Sequence, residues 1–81
     1  MSTPLFYDIL IKSYPNLKSV ISLNMICEYD EWKMRHEFHF ELLFPQHKRN
    51  DILSVLKFCG VYIEKEIYDN LGMGYFTIME I

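Results

Sequence analysis

Alanine is missing from this chain; none of its 81 residues is one. Ile, Tyr, Phe, Lys, Asn and Met are abundant instead, and these are residues of AT-rich codons. The composition therefore points to an AT-rich gene, such as a bacteriophage, a mobile element or a low-GC genome carries. Basic charge is also sparse. Eight Lys and Arg stand against 11 Asp and Glu, for a formal charge of −3. A bulk electrostatic nucleic-acid binder needs clustered cations to neutralise phosphates, so direct nucleic-acid binding is not expected. Cys27 and Cys59 are the only cysteines, too few for a disulfide-dense secreted scaffold. No apolar run approaches the roughly 20 residues that span a bilayer, so no membrane association is expected. Residues 1–4 carry no basic stretch and no small-residue cleavage site, so no signal peptide is expected and the compartment expected is the cytoplasm, with reduced thiols.

Large apolar side chains are plentiful. The hydrophobic fraction is 51%, and Phe6, Trp32, Phe38, Phe40, Phe44, Phe58 and Phe76 are each worth ~2–3 kcal/mol if fully covered. A chain this short buries only about 60–65% of the surface its unfolded form exposes. That supply of apolar residues suffices for one core in one domain, residues 1–81, and leaves little for a separate catalytic cavity.

Periodicity divides the chain into six elements. A helix is expected over residues 4–13, with Thr3 as N-cap, Pro4 at the first position and Leu5, Phe6, Ile9 and Leu10 inward. Pro15 stops it. A strand over 18–29 alternates Ile21, Leu23, Met25, Cys27 and Tyr29 with polar residues. A second, over 33–44, sets Met34, His36, Phe38, Phe40, Leu42 and Phe44 on one face and Arg35, Glu37, His39 and Glu41 on the other. A four-residue loop over 30–33 would place Glu28 opposite Arg35 and Leu23 opposite Phe40. A helix starting near Asn50, or as early as Pro45, carries Ile52, Val55, Leu56 and Cys59 at amphipathic spacing and stops at Gly60. Strands over 61–68 and 75–81 complete the chain. Lys65 breaks the inward series Val61, Ile63, Ile67, which predicts a bulge or an edge position there. The last strand is apolar on both faces, as a central strand is.

The order αββαββ calls for an α+β fold: one four-stranded antiparallel sheet with both helices on one face. It resembles a ferredoxin-like fold whose first strand has moved to the end of the chain, a circularly permuted topology. That resemblance implies a sheet with the last strand central and the first hairpin at one edge. It carries no motif and implies no activity.

On this layout the uncovered sheet face carries Glu28, Glu37, His39, Glu41, Tyr62, Glu64, Glu66 and Tyr68, with Trp32 at the tip of the first hairpin. An acidic, tyrosine-bearing face suits docking to a basic protein surface, because complementary charge speeds encounter and aromatics supply contact area. The plainer reading is a wetted face of an antiparallel sheet. Trp32 reads equally as an exposed anchor or as a side chain folded back onto the core.

Cys27, His36 and Cys59 are metal-ligand types placed inward, with Cys27 opposite His36 in the register above. Their spacing matches no standard zinc site and a fourth ligand is lacking, so two buried thiols beside a core histidine are expected and no metal. His39 lies between Glu37 and Glu41 without a nucleophile or phosphate loop nearby, which argues against acid–base catalysis. Gly72-Met73-Gly74 precedes a strand, so it reads as a hairpin turn, not a dinucleotide loop. His47-Lys48-Arg49 is a lone basic cluster in acidic surroundings.

These readings lead to a non-catalytic protein-binding protein that needs no cofactor. It would be an inhibitor masking a basic surface of a target such as a nucleic-acid-binding protein, encoded by a phage or mobile element and aimed at host defence or host takeover. A toxin-immunity protein is one alternative. A dimeric regulatory ligand-sensing domain, paired through the edge of the first strand, is another.

Overall fold

Hydrophobic alternation on the strands and a 3.6-residue period on the helices bring twelve apolar side chains into one cluster. Phe40, Leu42 and Phe44 come from alternate positions of β2 (Arg35–Pro45), and Phe76 and Ile78 from β4 (Met73–Met79). Phe6 and Leu10 of α1 (Leu5–Ser13) and Ile52, Val55 and Leu56 of α2 (Arg49–Cys59) close over them. The helices therefore lie on one face of the sheet, as expected. The structure, a computed structural model, describes residues 3–79. With β1 (Ser22–Asp30) and β3 (Tyr62–Tyr68) the order is αββαββ, and the four antiparallel strands run β1-β2-β4-β3. β4 is central, in keeping with its two apolar faces. Residues 80 and 81 of the expected last strand lie outside the described residues.

Local signals set most boundaries. Gly60 takes φ 70° beyond α2. There its N–H donates to Lys57 O and the N–H of Val61 to Leu56 O, the paired bonds that end a helix on a left-handed glycine. α1 begins one residue later than expected, with Pro4 flanking it. The Thr3 hydroxyl donates to the Asp8 carboxylate instead of accepting a backbone N–H. Residues 15–19, expected to lead into the first strand, form a 3-10 turn that buries Leu17, so β1 starts at Ser22.

Two expectations about register need correction. The first loop is Glu31–Met34 and not 30–33, because the Asp30 carboxylate accepts from the N–H groups of Trp32 (2.9 Å) and Lys33 (3.1 Å). Asp30 therefore opens the turn, and Met34 closes it at φ 53°. The pairing shifts by two residues: Glu28 faces Glu37, Asp30 faces Arg35, and Leu23 faces Leu42. An even shift keeps each side chain on its expected face.

The second correction comes from the bulge. It occurs as Lys65 predicted, between Ile63 and Lys65. One extra residue inverts the alternation beyond it. Ile63 pairs with the buried Ile78, but after the bulge Glu66 pairs with Phe76 and Tyr68 with Gly74. Glu66 and Tyr68 thus stand on the helix side, and Ile67 moves to the uncovered face beside Tyr75. The Tyr68 ring lies over Gly74, where an added Cβ would come within 2.6 Å of Tyr68 Cδ1. Gly72 serves the turn with φ 86°; Gly74 is needed for this close approach and not for the turn.

Candidate functional site

The sheet is longer than its helical cover. β1 and β2 have 9 and 11 residues, whereas β3 and β4 have 7 each. The first hairpin projects, and the molecule measures 39 × 29 × 22 Å. Its Cα radius of gyration is 13.0 Å, above the about 12 Å of a compact chain of this length.

The projecting half carries its apolar row into solvent. Phe40 is buried under Phe6, the ring centroids 5.6 Å apart. Two residues further out, Phe38 is 51% exposed. Met25, Tyr29 and Met34 on the same side are also exposed, and Trp32 at the tip is 97% exposed. Trp32 therefore does not fold back onto the core. Phe38, expected on the core face, is exposed, and Phe58, outside the inward stripe of helix two, is 82% exposed. Phe58 and Leu5 flank an open depression of about 410 Å³ with Phe6, Ile9, Cys59, Gly60 and Val61.

On the uncovered face, Glu37 and Glu64 converge on His39. Glu64 Oε2 lies 3.0 Å from His39 Nδ1 and Glu37 Oε2 3.7 Å from Nε2. Glu64 thus reaches across β4, and it takes the place expected of Glu41. Glu37 also meets Lys33 at 2.8 Å and Arg35 at 3.7 Å. These cations offset the repulsion of Glu28 directly opposite. Glu37 is thus the carboxylate of this face that meets two cations, Lys33 and Arg35. Among the described residues, Glu28, Glu31 and Glu41 make no ion pair; Glu28 and Glu31 lie on the first hairpin at its outer end, and Glu41 further in, opposite Asn24 and Thr77. Tyr62 is exposed on this face next to Met79.

Glu66 and Tyr68, expected on that face, instead form a network with Arg49 at the start of α2. Arg49 Nε donates to the Tyr68 hydroxyl at 2.7 Å and Nη2 to Glu66 at 3.2 Å, while the Tyr68 hydroxyl donates to Glu66 Oε2 at 2.7 Å. The Tyr68 hydrogen bond, with help from Arg49, holds the Glu66 carboxyl below its ordinary value, against the opposing effect of desolvation. Desolvation and the Glu66 bond raise the Tyr68 phenol. The tyrosine and the carboxylate, in that order, hold the Arg49 guanidinium still more firmly protonated. This network ties the bulged strand to the helix, so Arg49 of the lone basic cluster has a structural role.

Cys27 and His36 are not opposite each other; Cys27 faces Phe38 and His36 faces Tyr29. Cys27 Sγ lies 3.8 Å from His36 Nδ1 on the diagonal. Both are exposed and Cys59 is half-buried, so the expectation of two buried thiols beside a core histidine fails. Among the described residues, no three His, Cys, Asp or Glu side chains are grouped to hold a metal. No helix of the described residues is long and apolar enough to cross a membrane.

Of the nine residues expected to form the docking site, Glu28, Glu37, His39, Glu41, Tyr62 and Glu64 share the uncovered face, Trp32 stands at the tip, and Glu66 and Tyr68 are elsewhere. Sequence reasoning missed Met25, Tyr29, Met34 and Phe38 as surface residues. The signal was available in the unequal hairpin lengths: alternation continues further along β1 and β2 than two short helices can cover. No family model, curated protein or solved structure matches the chain.

Proposed function

We propose that this is a non-catalytic protein-binding protein, an inhibitor that docks through its first hairpin onto a basic surface of a target protein. One observation carries the reading: Tyr29, Trp32, Met34 and Phe38 stand exposed on a projecting hairpin whose neighbouring carboxylates, Glu28 and Glu31, have no cationic partner among the described residues. Aromatic and methionine side chains are the anchors that interfaces favour. Unpaired carboxylates around them steer a cationic partner and set its orientation. The alanine-free composition suits an AT-rich phage or mobile element, and masking a nucleic-acid-binding host protein in counter-defence or takeover is the setting we assign.

The test is a titration of the purified target, obtained by capture from the lysate of the native host, against variants of the hairpin. Trp32→Ala should weaken binding about tenfold to a hundredfold. Glu28→Lys combined with Glu41→Lys should slow association and remove its salt dependence. Unchanged affinity and unchanged salt dependence in folded variants would overturn the reading.

A further inference from the structure

The sheet has two edges, and they differ in kind. β3 is short, bulged at Glu64 and carries Glu64, Lys65 and Glu66 in succession. Bulges, lysines and shortness are the means by which edges avoid pairing with other strands. β1 has none of them. It spans nine residues without proline, lysine or arginine, and its register with β2 is unbroken from Ser22 to Asp30. Among the described residues, no loop or turn backbone bonds to β1, so the outward N–H and C=O groups of this strand have no protein partner.

We infer that β1 pairs antiparallel with β1 of a second copy, about a two-fold axis at Ile26, to give a continuous eight-stranded sheet. The sequence of β1 is self-complementary in that register. Glu28 falls opposite Asn24 of the other copy and Asp30 opposite Ser22, so no acid meets an acid. On the helix side Met25 falls opposite Cys27, and Leu23 opposite Tyr29. Met25 and Tyr29, exposed in the single chain, are thereby laid against apolar neighbours. A two-fold axis perpendicular to the sheet keeps both helix layers on the same side, and each contact occurs twice. The edge shares Glu28 and Tyr29 with the docking hairpin, whereas Trp32, Met34 and Phe38 lie outside β1; the purified chain alone tests the pairing, so its failure is distinguishable from failure to bind a target.

Sedimentation of the purified chain at tens of micromolar should give twice the chain mass, and Ile26→Lys, which sets two ammonium groups against each other on the axis, should give a monomer with unchanged circular dichroism. Met25→Cys tests the register without depending on that variant: under mild oxidation residue 25 of each copy should form a disulfide with Cys27 of the other, and adding Cys27→Ser should abolish it. A monomer at all concentrations would overturn the inference. So would a dimer that survives Ile26→Lys, or one in which residues 25 and 27 do not crosslink.

Discussion

The two hairpins use the same turn chemistry to different ends. In each, an aspartate opens the turn by accepting two backbone N–H groups: Asp30 from Trp32 and Lys33, and Asp69 from Leu71 and Met73. The second turn is then fastened to the body. The Gln46 side-chain amide donates to Asp69 O and Met73 O, and its backbone N–H donates to Gly72 O. Its strands have their helix-side residues sealed by α2 and by the Arg49–Glu66–Tyr68 network. Among the described residues, the first turn has only its own bonds and that of Lys33 to Glu37. The comparison teaches that local sequence makes a hairpin, while tertiary cover decides whether its apolar face belongs to the core or to a surface.

The largest expected difference between the hairpins is in core truncation. Phe76→Ala in the sealed one should cost ~3–5 kcal/mol, enough to unfold much of a small domain's population. Phe38→Ala in the projecting one should cost about 1–1.5 kcal/mol, because half of that side chain is already in water. Urea titration of both measures this directly, and equal losses would break the comparison.

A smaller effect sharpens it. Gly74→Ala forces a methyl into the Tyr68 ring and should cost ~1–3 kcal/mol. With Tyr68→Ala already present, the same substitution should cost markedly less, since the ring it strikes is gone; a double-mutant cycle reads the coupling.

The smallest effect is in pH dependence. The folded chain holds Glu66 below its ordinary value of 4.5, so its stabilisation is complete above that value and is lost as pH falls through the lowered folded one. Tyr68 is raised above its ordinary 10.0, so its stabilisation is complete below that value and is lost as pH rises through the raised one. Both groups are partly exposed, and each contribution should stay under about 1 kcal/mol. Tyr68→Phe should flatten both limbs of the stability–pH profile; an unaltered acid limb would show that Arg49 alone holds the Glu66 carboxylate.

The element order, sheet order and helix-two cap were legible because each rests on a local signal: periods of two and 3.6, Pro15, Gly60 and the apolar last strand. The bulge was legible from Lys65, but its consequence is arithmetic along the strand: one inserted residue sends Glu66 and Tyr68 to the other side. The hairpin register turned on which residue opens the turn, and an aspartate at 30 with a left-handed residue at 34 settles it by hydrogen bonds that composition does not display. Burial of Phe38 and Cys27 depended on where the helices end, a property of the assembled layers and of no single segment.

The central claim is that the exposed apolar row of the first hairpin serves contact and not folding. Its most direct test compares the wild-type chain with a Tyr29→Ser, Trp32→Ala, Phe38→Ser variant, measuring in parallel the urea midpoint and the affinity for the captured target. The account predicts a midpoint lowered by less than Phe76→Ala lowers it, since Tyr29 and Phe38 are half exposed and Trp32 almost wholly so, and an affinity reduced at least a hundredfold. A variant that unfolds, or one that keeps both its stability and its affinity, would contradict it.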